Sequence, residues 1–132
     1  MHQRLANVML VVDDYDRAIE FFTSALGFVV HEDAPMGGGK RWVRVGPTGN
    51  GSAGLVLGKA TNPQQLASVG NQTGGRVFLF LETDDFWRDY RRLQAHGVRF
   101  AEEPREEAYG MVVVFHDLYG NKWDLIGRRQ PS

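Results

Sequence analysis

Residues 8–28 read VMLVVDDYDRAIEFFTSALGF, and residues 77–98 read VFLFLETDDFWRDYRRLQAHGV. Each stretch opens with a short apolar run, which is typical of a buried strand. A pair of aspartates follows, and apolar residues then recur at helical spacing until a glycine is reached. The two stretches therefore predict the same strand–helix unit twice, and this repetition decides the fold.

The first stretch carries signals for the beginning and the end of its helix. Asp14 is the predicted N-cap, because its carboxylate can accept a free backbone N–H of the first turn. Gly27 lies where a residue in the left-handed conformation would end the helix. The predicted buried face of this helix consists of Ala18, Ile19, Phe22, Ala25 and Leu26.

Three further strands are expected in the first half. They cover Phe28–His31, Arg41–Val45 and Leu55–Leu57. Pro35–Gly39 is rich in glycine and predicts a flexible turn, while Pro47–Gly51 predicts a hairpin loop. The first half is therefore expected to form a β-α-β-β-β unit.

A connector is expected at residues 59–75, where the pattern breaks. Asn62 and Pro63 have the character of an N-cap and a first-turn proline, which predicts a short helix over Pro63–Val69. Beyond the connector, Val77–Leu81 is expected to be a strand, and the order of the first half resumes.

The second half repeats the first with different side chains. Its predicted helix carries Phe86, Trp87, Tyr90 and Leu93 on the apolar side and ends at Gly97. The remaining predicted elements are strands at Val98–Phe100, Met111–Phe115 and Trp123–Ile126, a charged loop at Glu102–Gly110 and a turn at Leu118–Asn121.

The two halves align at a nearly constant spacing. Asp13-Asp14 corresponds to Asp84-Asp85 after 71 residues, Gly27 to Gly97 after 70, and Gly58 to Gly127 after 69. Each repeat alone would leave one sheet face uncovered, so the two are expected to pair. We predict one α+β domain over residues 1–132, with βαβββ units at about 5–58 and 76–127 forming a half-open barrel around a central ligand cavity.

Composition excludes several classes of protein. The chain of 132 residues has no cysteine, so zinc knuckles, iron–sulfur clusters, disulfide scaffolds and thiol nucleophiles are excluded. Its 15 basic and 16 acidic residues lack the basic excess of a nucleic-acid-binding protein. No apolar run reaches the ~20 residues that span a bilayer, and no signal peptide is evident. We expect a cytoplasmic protein without nucleic-acid or membrane partners.

The motifs of both halves resemble the glyoxalase, bleomycin-resistance and extradiol dioxygenase superfamily, which has the vicinal oxygen chelate fold. DDYDRAIEFF at 13–22 and LGF at 26–28 are similar to the family's opening. TDD at 83–85 and GV at 97–98 repeat it, and DLYGNKWDL at 117–125 resembles the family's D-P-x-G-N-x-x-E-L ending. The superfamily includes isomerases, dioxygenases, epimerases, transferases and non-catalytic drug-binding proteins, so the resemblance implies the fold more narrowly than the activity.

The resemblance also implies positions for a divalent metal. These are Asn7 and Phe78 on the first strand of each unit, and Leu55 and Asp124 on the last strand. Enzymes of the family place His, Gln or Glu there, whereas Phe78 and Leu55 cannot ligate a metal. Zinc and nickel sites normally use at least three protein ligands, so Asp124 and the amide of Asn7 are too few.

We therefore expect no cofactor and interpret the metal site as degraded. Zinc, nickel, cobalt or manganese would bind well only at a shifted site that recruits Glu82 or His116. Glu82 is expected on the same strand face as Phe78, because side chains alternate along a strand.

Other candidate site residues follow from strand alternation. Trp42 and Arg44 are predicted to share the cavity face, where they would suit a planar or anionic ligand. Alternatively, Arg44 extends to solvent over Trp42. Tyr109 would either donate a hydrogen bond to the ligand or cap the barrel. Trp123 alternates with Asp124 and is expected in the core.

Asp124 and Glu82 are the candidate catalytic residues. A carboxylate that faces an apolar cavity has a raised pKa and can act as a general base or bind a cation. The alternative for Asp124 is a strand carboxylate paired with an arginine or a backbone N–H. Glu82 alternatively is a solvated residue before the aspartate turn.

Three functional hypotheses remain open at this point. The first is a protein that binds a small organic molecule without a metal, using Asn7, Trp42, Arg44 and Tyr109 with the two carboxylates. The second is a metal-dependent lyase or isomerase of the lactoylglutathione lyase type, and the third is metal-free acid–base catalysis. The resemblance implies a homodimer, to whose interface Phe86 and Trp87 are expected to contribute.

Overall fold

The chain forms two compact units, Met1–Val69 and Gly70–Ser132, which we call unit 1 and unit 2. A computed structural model describes residues 1–49 and 51–129. Asn50, which belongs to the predicted hairpin loop, lies outside the described residues. The boundary between the units falls within the connector predicted at residues 59–75.

Unit 1 has the predicted β-α-β-β-β order, followed by a short helix. Its sheet has the strand order β1-β4-β3-β2, in which β1 runs parallel to β4 and the other neighbours are antiparallel. The elements are β1 (Asn7–Val12), α1 (Tyr15–Ser24), β2 (Val29–Gly37), β3 (Lys40–Gly46), β4 (Gly54–Lys59) and α2 (Pro63–Ser68).

The predicted caps of α1 are confirmed. The carboxylate of Asp14 accepts a hydrogen bond from the backbone N–H of Arg17 at 2.8 Å. At the other end Gly27 has a φ of 73°, which side chains with a Cβ rarely adopt. This conformation lets the N–H of Phe28 reach back to the carbonyl of Phe22 at 3.0 Å.

Unit 2 repeats the order of unit 1. Its sheet order is β5-β8-β7-β6, again with one parallel pair, β5 with β8. The elements are β5 (Val77–Thr83), α3 (Phe86–Ala95), β6 (Arg105–Glu107), β7 (Gly110–His116) and β8 (Lys122–Arg128). The α+β class and the two βαβββ units are therefore confirmed.

Each sheet has one face against its helix and one face turned away from it, which we call the open face. In unit 1 the helix face carries Leu10, Val43, Val45 and Leu57, which are all buried. Directly opposed residues of paired strands share a face. The register therefore assigns Met9, Val56 and Arg44 together to the open face.

The predicted turn at Pro35–Gly39 and the predicted loop at Glu102–Gly110 both contain strand residues, because strand pairing overrides local composition. Pro35–Gly37 belongs to β2, and only Gly38 and Gly39 form the turn to β3. In unit 2 the predicted strand at Val98–Phe100 is reduced to an isolated bridge between Phe100 and Phe115. The strand that pairs with β7 is β6 instead, within the segment predicted as a charged loop.

The register of the two sheets also corrects the repeat alignment. Met9 pairs with Val56 in unit 1, and Phe80 pairs with Asp124 in unit 2. Val56, rather than Leu55, is therefore the counterpart of Asp124.

The glycines aligned at the end of the repeats lie on opposite faces. A Cβ at Gly58 would meet Met9 on the open face, whereas one at Gly127 would meet Phe86 of α3. The predicted correspondence between Gly58 and Gly127 is therefore wrong.

The apolar side of α3 is narrower than predicted. Phe86 is only 6% exposed and Leu93 2%, whereas Trp87 is 42% exposed and rests edge-on against the Phe86 ring. Phe86 is therefore core and cannot contribute to a dimer interface, while a role of Trp87 stays a prediction. In the described part of the chain, no helix has the length and hydropathy that crossing a bilayer requires.

Candidate functional site

A cavity of about 520 Å³ opens in unit 1 where the β2–β3 hairpin, β4 and α2 meet. Its apolar lining comes from side chains on four different segments, and this size is within the usual range for small-molecule sites. The apolar lining residues include Met9, Met36, Trp42, Val56 and Leu57.

A carboxylate lies near Trp42 on the open face. Glu32 on β2 accepts a hydrogen bond from the guanidinium of Arg44 at 2.9 Å, and the indole of Trp42 is near enough to help lower the pKa of Glu32. The Arg44 hydrogen bond is the main cause that lowers the pKa of Glu32 below its ordinary value. Glu32 is thus charged at neutral pH, where it pairs with Arg44.

Arg44 itself does not line the cavity. Its side chain lies beside Gly54, where an added Cβ would come within 3.1 Å of Arg44 Cγ and 3.0 Å of Asn7 Oδ1. Gly54 therefore permits the close approach of Asn7 and Arg44, which form a polar end of the open face. The predicted common face of Trp42 and Arg44 is correct, since Val43 and Val45 are fully buried on the other side.

The rim of the cavity next to α1 is also fixed. Arg41 forms ion pairs with Asp33 at 2.8 Å and with Asp16 at 2.9 Å, and its guanidinium lies 5.1 Å from the centre of the Tyr15 ring. The hydroxyl of Tyr15 accepts a hydrogen bond from the backbone N–H of Arg41 at 3.2 Å. The hairpin that supplies Met36 is thus tied to the helix.

Asp124 lies on the open face of unit 2, opposite Phe80, which is 65% exposed. Its Oδ1 is buried and has no hydrogen-bond partner among the described residues. Burial raises the pKa of Asp124 above its ordinary value, while Arg105 opposes this shift and Glu102 adds to it. A carboxylate in this setting binds a proton or a donor more readily than a solvated one.

The other predicted site residues of unit 2 have different surroundings. Glu82 shares the open face but forms an exposed ion pair with Arg128 at 2.6 Å. Tyr109 is exposed in the turn between β6 and β7. Trp123 is 2% exposed and belongs to the core, as predicted.

The family-like run at 117–125 builds a turn. The buried carboxylate of Asp117 accepts hydrogen bonds from the backbone N–H groups of Tyr119 and Asn121, the amide of Asn121 and the indole of Trp123. Burial raises the pKa of Asp117, and these four donors oppose that shift. The motif therefore fixes the start of β8, which positions Asp124.

Sequence reasoning missed most of the cavity lining. Met36 is placed there by the extension of β2 beyond its predicted end, and Gln65 by α2, for which the sequence predicts a short helix without a role in the site. Met9 is predictable from the sequence as an open-face residue, because it precedes Leu10 on β1 and side chains alternate along a strand.

Comparison with known proteins places the chain in a family. The profile of the Glyoxalase/Bleomycin resistance protein/Dioxygenase superfamily matches residues 4–125. The chain belongs to this superfamily. An uncharacterized protein of Shewanella frigidimarina is 51% identical over 127 residues, covering 96% of this chain and 94% of that protein.

Solved structures match the fold closely. UcmS2 is 30% identical with a TM-score of 0.80, covering 96% of this chain and 98% of that one. TnmS3, an antibiotic-binding protein from Streptomyces sp. CB03234, is 28% identical with a TM-score of 0.75, covering 98% of both chains.

The donor set does not fit the divalent metal that the superfamily implies. Leu55 is 5% exposed on the helix face of its sheet, so it does not reach the open face. Phe78 lies at a β-bulge with its ring edge-on to Trp123, and its side chain has no atom that could ligate a metal. Asn7 and Asp124 are thus the only donors among the four positions.

A shifted metal site finds no support either. Within residues 1–49 and 51–129, no three His, Cys, Asp or Glu side chains gather as a metal site would require. His116 Nδ1 lies 3.3 Å from the carbonyl oxygen of Gly120, beside the Asp117 turn. Glu82 is paired with Arg128, so the two residues named for such a site have other contacts.

Proposed function

We propose that this protein binds a small, planar organic molecule in the cavity of unit 1 and does so without a metal. The observation that carries the proposal is the cavity of about 520 Å³ with Trp42, Met9 and Met36 in its lining. The indole of Trp42 offers a stacking surface, and Met9 and Met36 can adapt to the shape of a ligand. The likeness to TnmS3, an antibiotic-binding protein, supports the proposal.

The neutral fluorescent amine N-phenyl-1-naphthylamine is a suitable first probe, because its naphthalene ring is planar and its fluorescence brightens in apolar sites. Trp42→Ala is expected to weaken its binding about 30-fold, the loss of roughly 2 kcal/mol that is common for a buried aromatic contact. Trp87→Ala is the matched control, because Trp87 is half-exposed on α3 of unit 2. Circular dichroism of both variants checks that the fold is kept.

Two outcomes would overturn this proposal. One is that the probe fails to bind the wild-type protein. The other is that both tryptophan variants bind it equally well, which would place the probe outside the cavity.

A second candidate function rests on Asp124. Its buried Oδ1 without a partner favours metal-free acid–base catalysis, in which Asp124 would take up or release a proton. Glu82 contributes less to this candidate than expected from the sequence, because Arg128 already pairs with it.

The hemithioacetal of methylglyoxal and glutathione separates this candidate from the metal-dependent lyase. Product formation that persists with a chelator and is lost in Asp124→Asn would favour acid–base catalysis. Product formation that requires added nickel or zinc would favour the lyase, and the absence of product would leave binding as the function. The predicted homodimer is tested separately, by light scattering of the wild-type protein and of Trp87→Ala.

A further inference from the structure

The charged side chains that line the cavity in unit 1 are all positive. Lys40, Arg41 and Lys59 line it, and none of the described residues that line it is an aspartate or glutamate. The chain as a whole carries a net charge of −1, so this local excess of positive charge is not a consequence of overall composition.

Only part of this positive charge is compensated within the protein. Arg41 is paired with both Asp16 and Asp33. Lys40 and Lys59 are exposed, and neither forms an ion pair with any residue in the described ranges 1–49 and 51–129. Two ammonium groups are therefore available to a ligand in the cavity.

Gln65 adds a neutral donor beside the lysines. Its Oε1 accepts hydrogen bonds from the backbone N–H and the hydroxyl of Thr61, at 2.8 and 2.9 Å. A backbone N–H can only donate, so the atom facing it must be the amide oxygen. The –NH₂ end of Gln65 is thus left as a donor in the cavity lining.

We infer that the ligand of this cavity is an anion, a planar apolar molecule that carries a carboxylate, sulfonate or phenolate group. The inference rests on the proposed function and adds the charge of the ligand to it. The apolar part would lie against Trp42 and Val56, and the acidic group would lie toward Lys40, Lys59 and Gln65. Ammonium and amide donors match the acceptor-only surface of such a group.

The test compares two probes that differ by one acidic group. 8-Anilinonaphthalene-1-sulfonate is N-phenyl-1-naphthylamine with an added sulfonate. At low ionic strength the sulfonate probe is expected to bind about 10-fold more tightly, because each exposed charge contact contributes about two- to fivefold. The advantage should shrink at roughly 0.5 M salt, where charges are screened within a few ångströms.

Lysine variants test whether Lys40 and Lys59 cause the tighter binding of the sulfonate probe. The double variant Lys40→Gln/Lys59→Gln is expected to lose the ~10-fold preference for the sulfonate while binding the neutral amine within about twofold of wild type. Arg91→Gln is the control for the loss of positive charge elsewhere; it removes one charge, against two in the double variant, from the exposed side of α3 in unit 2. It should leave the binding of both probes unchanged.

The possible failures are distinguishable. If the neutral amine binds in a Trp42-dependent way but the sulfonate binds no more tightly, the anion inference is wrong and the proposed function stands. If Arg91→Gln and the double lysine variant weaken the sulfonate equally, the preference is nonspecific and the inference is also wrong. If neither probe depends on Trp42, both proposals fall together.

Discussion

Units 1 and 2 have the same order of elements and the same kind of helix cap, but their open faces differ in chemistry. The open face of unit 1 offers Trp42, Met9 and Val56 next to a cavity with two lysines that form no ion pair with any described residue. The open face of unit 2 offers Asp124 opposite Phe80, with a buried oxygen that has no hydrogen-bond partner in the described part of the chain. The βαβββ topology therefore fixes where a site can lie and leaves its chemistry to a few open-face side chains.

The loops before the last strand of each sheet differ as well. In unit 2 the Asp117 carboxylate gathers four donors in the turn before β8. In unit 1 the corresponding loop before β4 is held by a contact of 3.1 Å between His31 Nε2 and the carbonyl oxygen of Pro47. The turn before the last strand of unit 2 thus has a buried carboxylate at its centre, whereas the His31 contact in unit 1 is exposed.

The largest predicted effect tests this difference in anchoring. Asp117→Ala leaves the buried indole N–H of Trp123 and the amide of Asn121 without their acceptor, so we expect the free energy of unfolding to fall by about 3 kcal/mol. His31→Ala should cost less than about 1 kcal/mol, because its contact is exposed. Urea denaturation of both variants measures the difference, and similar losses would show that the two loops are equally important.

A smaller effect is expected from the Asp124 carboxylate. Burial raises its pKa in the folded protein, so the charged form costs stability once the pH exceeds the ordinary carboxyl value. Asp124→Asn should therefore raise the melting temperature at pH 7 by roughly 1–3 °C.

The pH dependence gives the sign of this effect independently. Below the ordinary pKa of about 3.9 both states of the wild type are protonated, and the advantage of Asn over Asp should vanish. The advantage should grow as the pH rises toward the raised pKa and then remain constant. A variant that is less stable than wild type at pH 7 would mean that the Asp124 charge has a partner in the fold.

The smallest effect is expected at Glu82. Glu82 and Arg128 are both more than half exposed, and exposed ion pairs contribute little. Glu82→Gln should change the free energy of unfolding by no more than about 0.5 kcal/mol and leave probe binding in unit 1 unchanged. A larger loss of stability, or weaker binding of the probe, would indicate that Glu82 is a site residue.

The fold was predictable to the extent that it depends on local signals. The caps at Asp14 and Asn62 and the left-handed Gly27 follow from side-chain chemistry within one turn. β6 was missed because three charged residues form a strand only by pairing with β7. Local composition contains no information about such a partner.

The site was predictable only in part, because faces depend on register. Trp42 and Arg44 share the predicted face since β3 alternates without a bulge over those residues. The predicted metal position at Leu55 is one residue away from Val56, which is the true counterpart of Asp124, so the side chain lies on the other face of the sheet. Phe78 lies at a bulge, where simple alternation fails. Met36 and Gln65 reach the cavity through the hairpin and α2, which no spacing in the sequence connects.

The central claim is that unit 1 holds the ligand, and the three tryptophans of the chain allow a direct test. Each indole N–H gives one signal in a ¹H–¹⁵N correlation spectrum, and single Trp→Phe variants at 42 and 87 assign them. On titration with N-phenyl-1-naphthylamine we expect the Trp42 signal to move, while those of Trp87 and Trp123 in unit 2 stay in place. A shift of the Trp87 or Trp123 signal with an unchanged Trp42 signal would contradict the account.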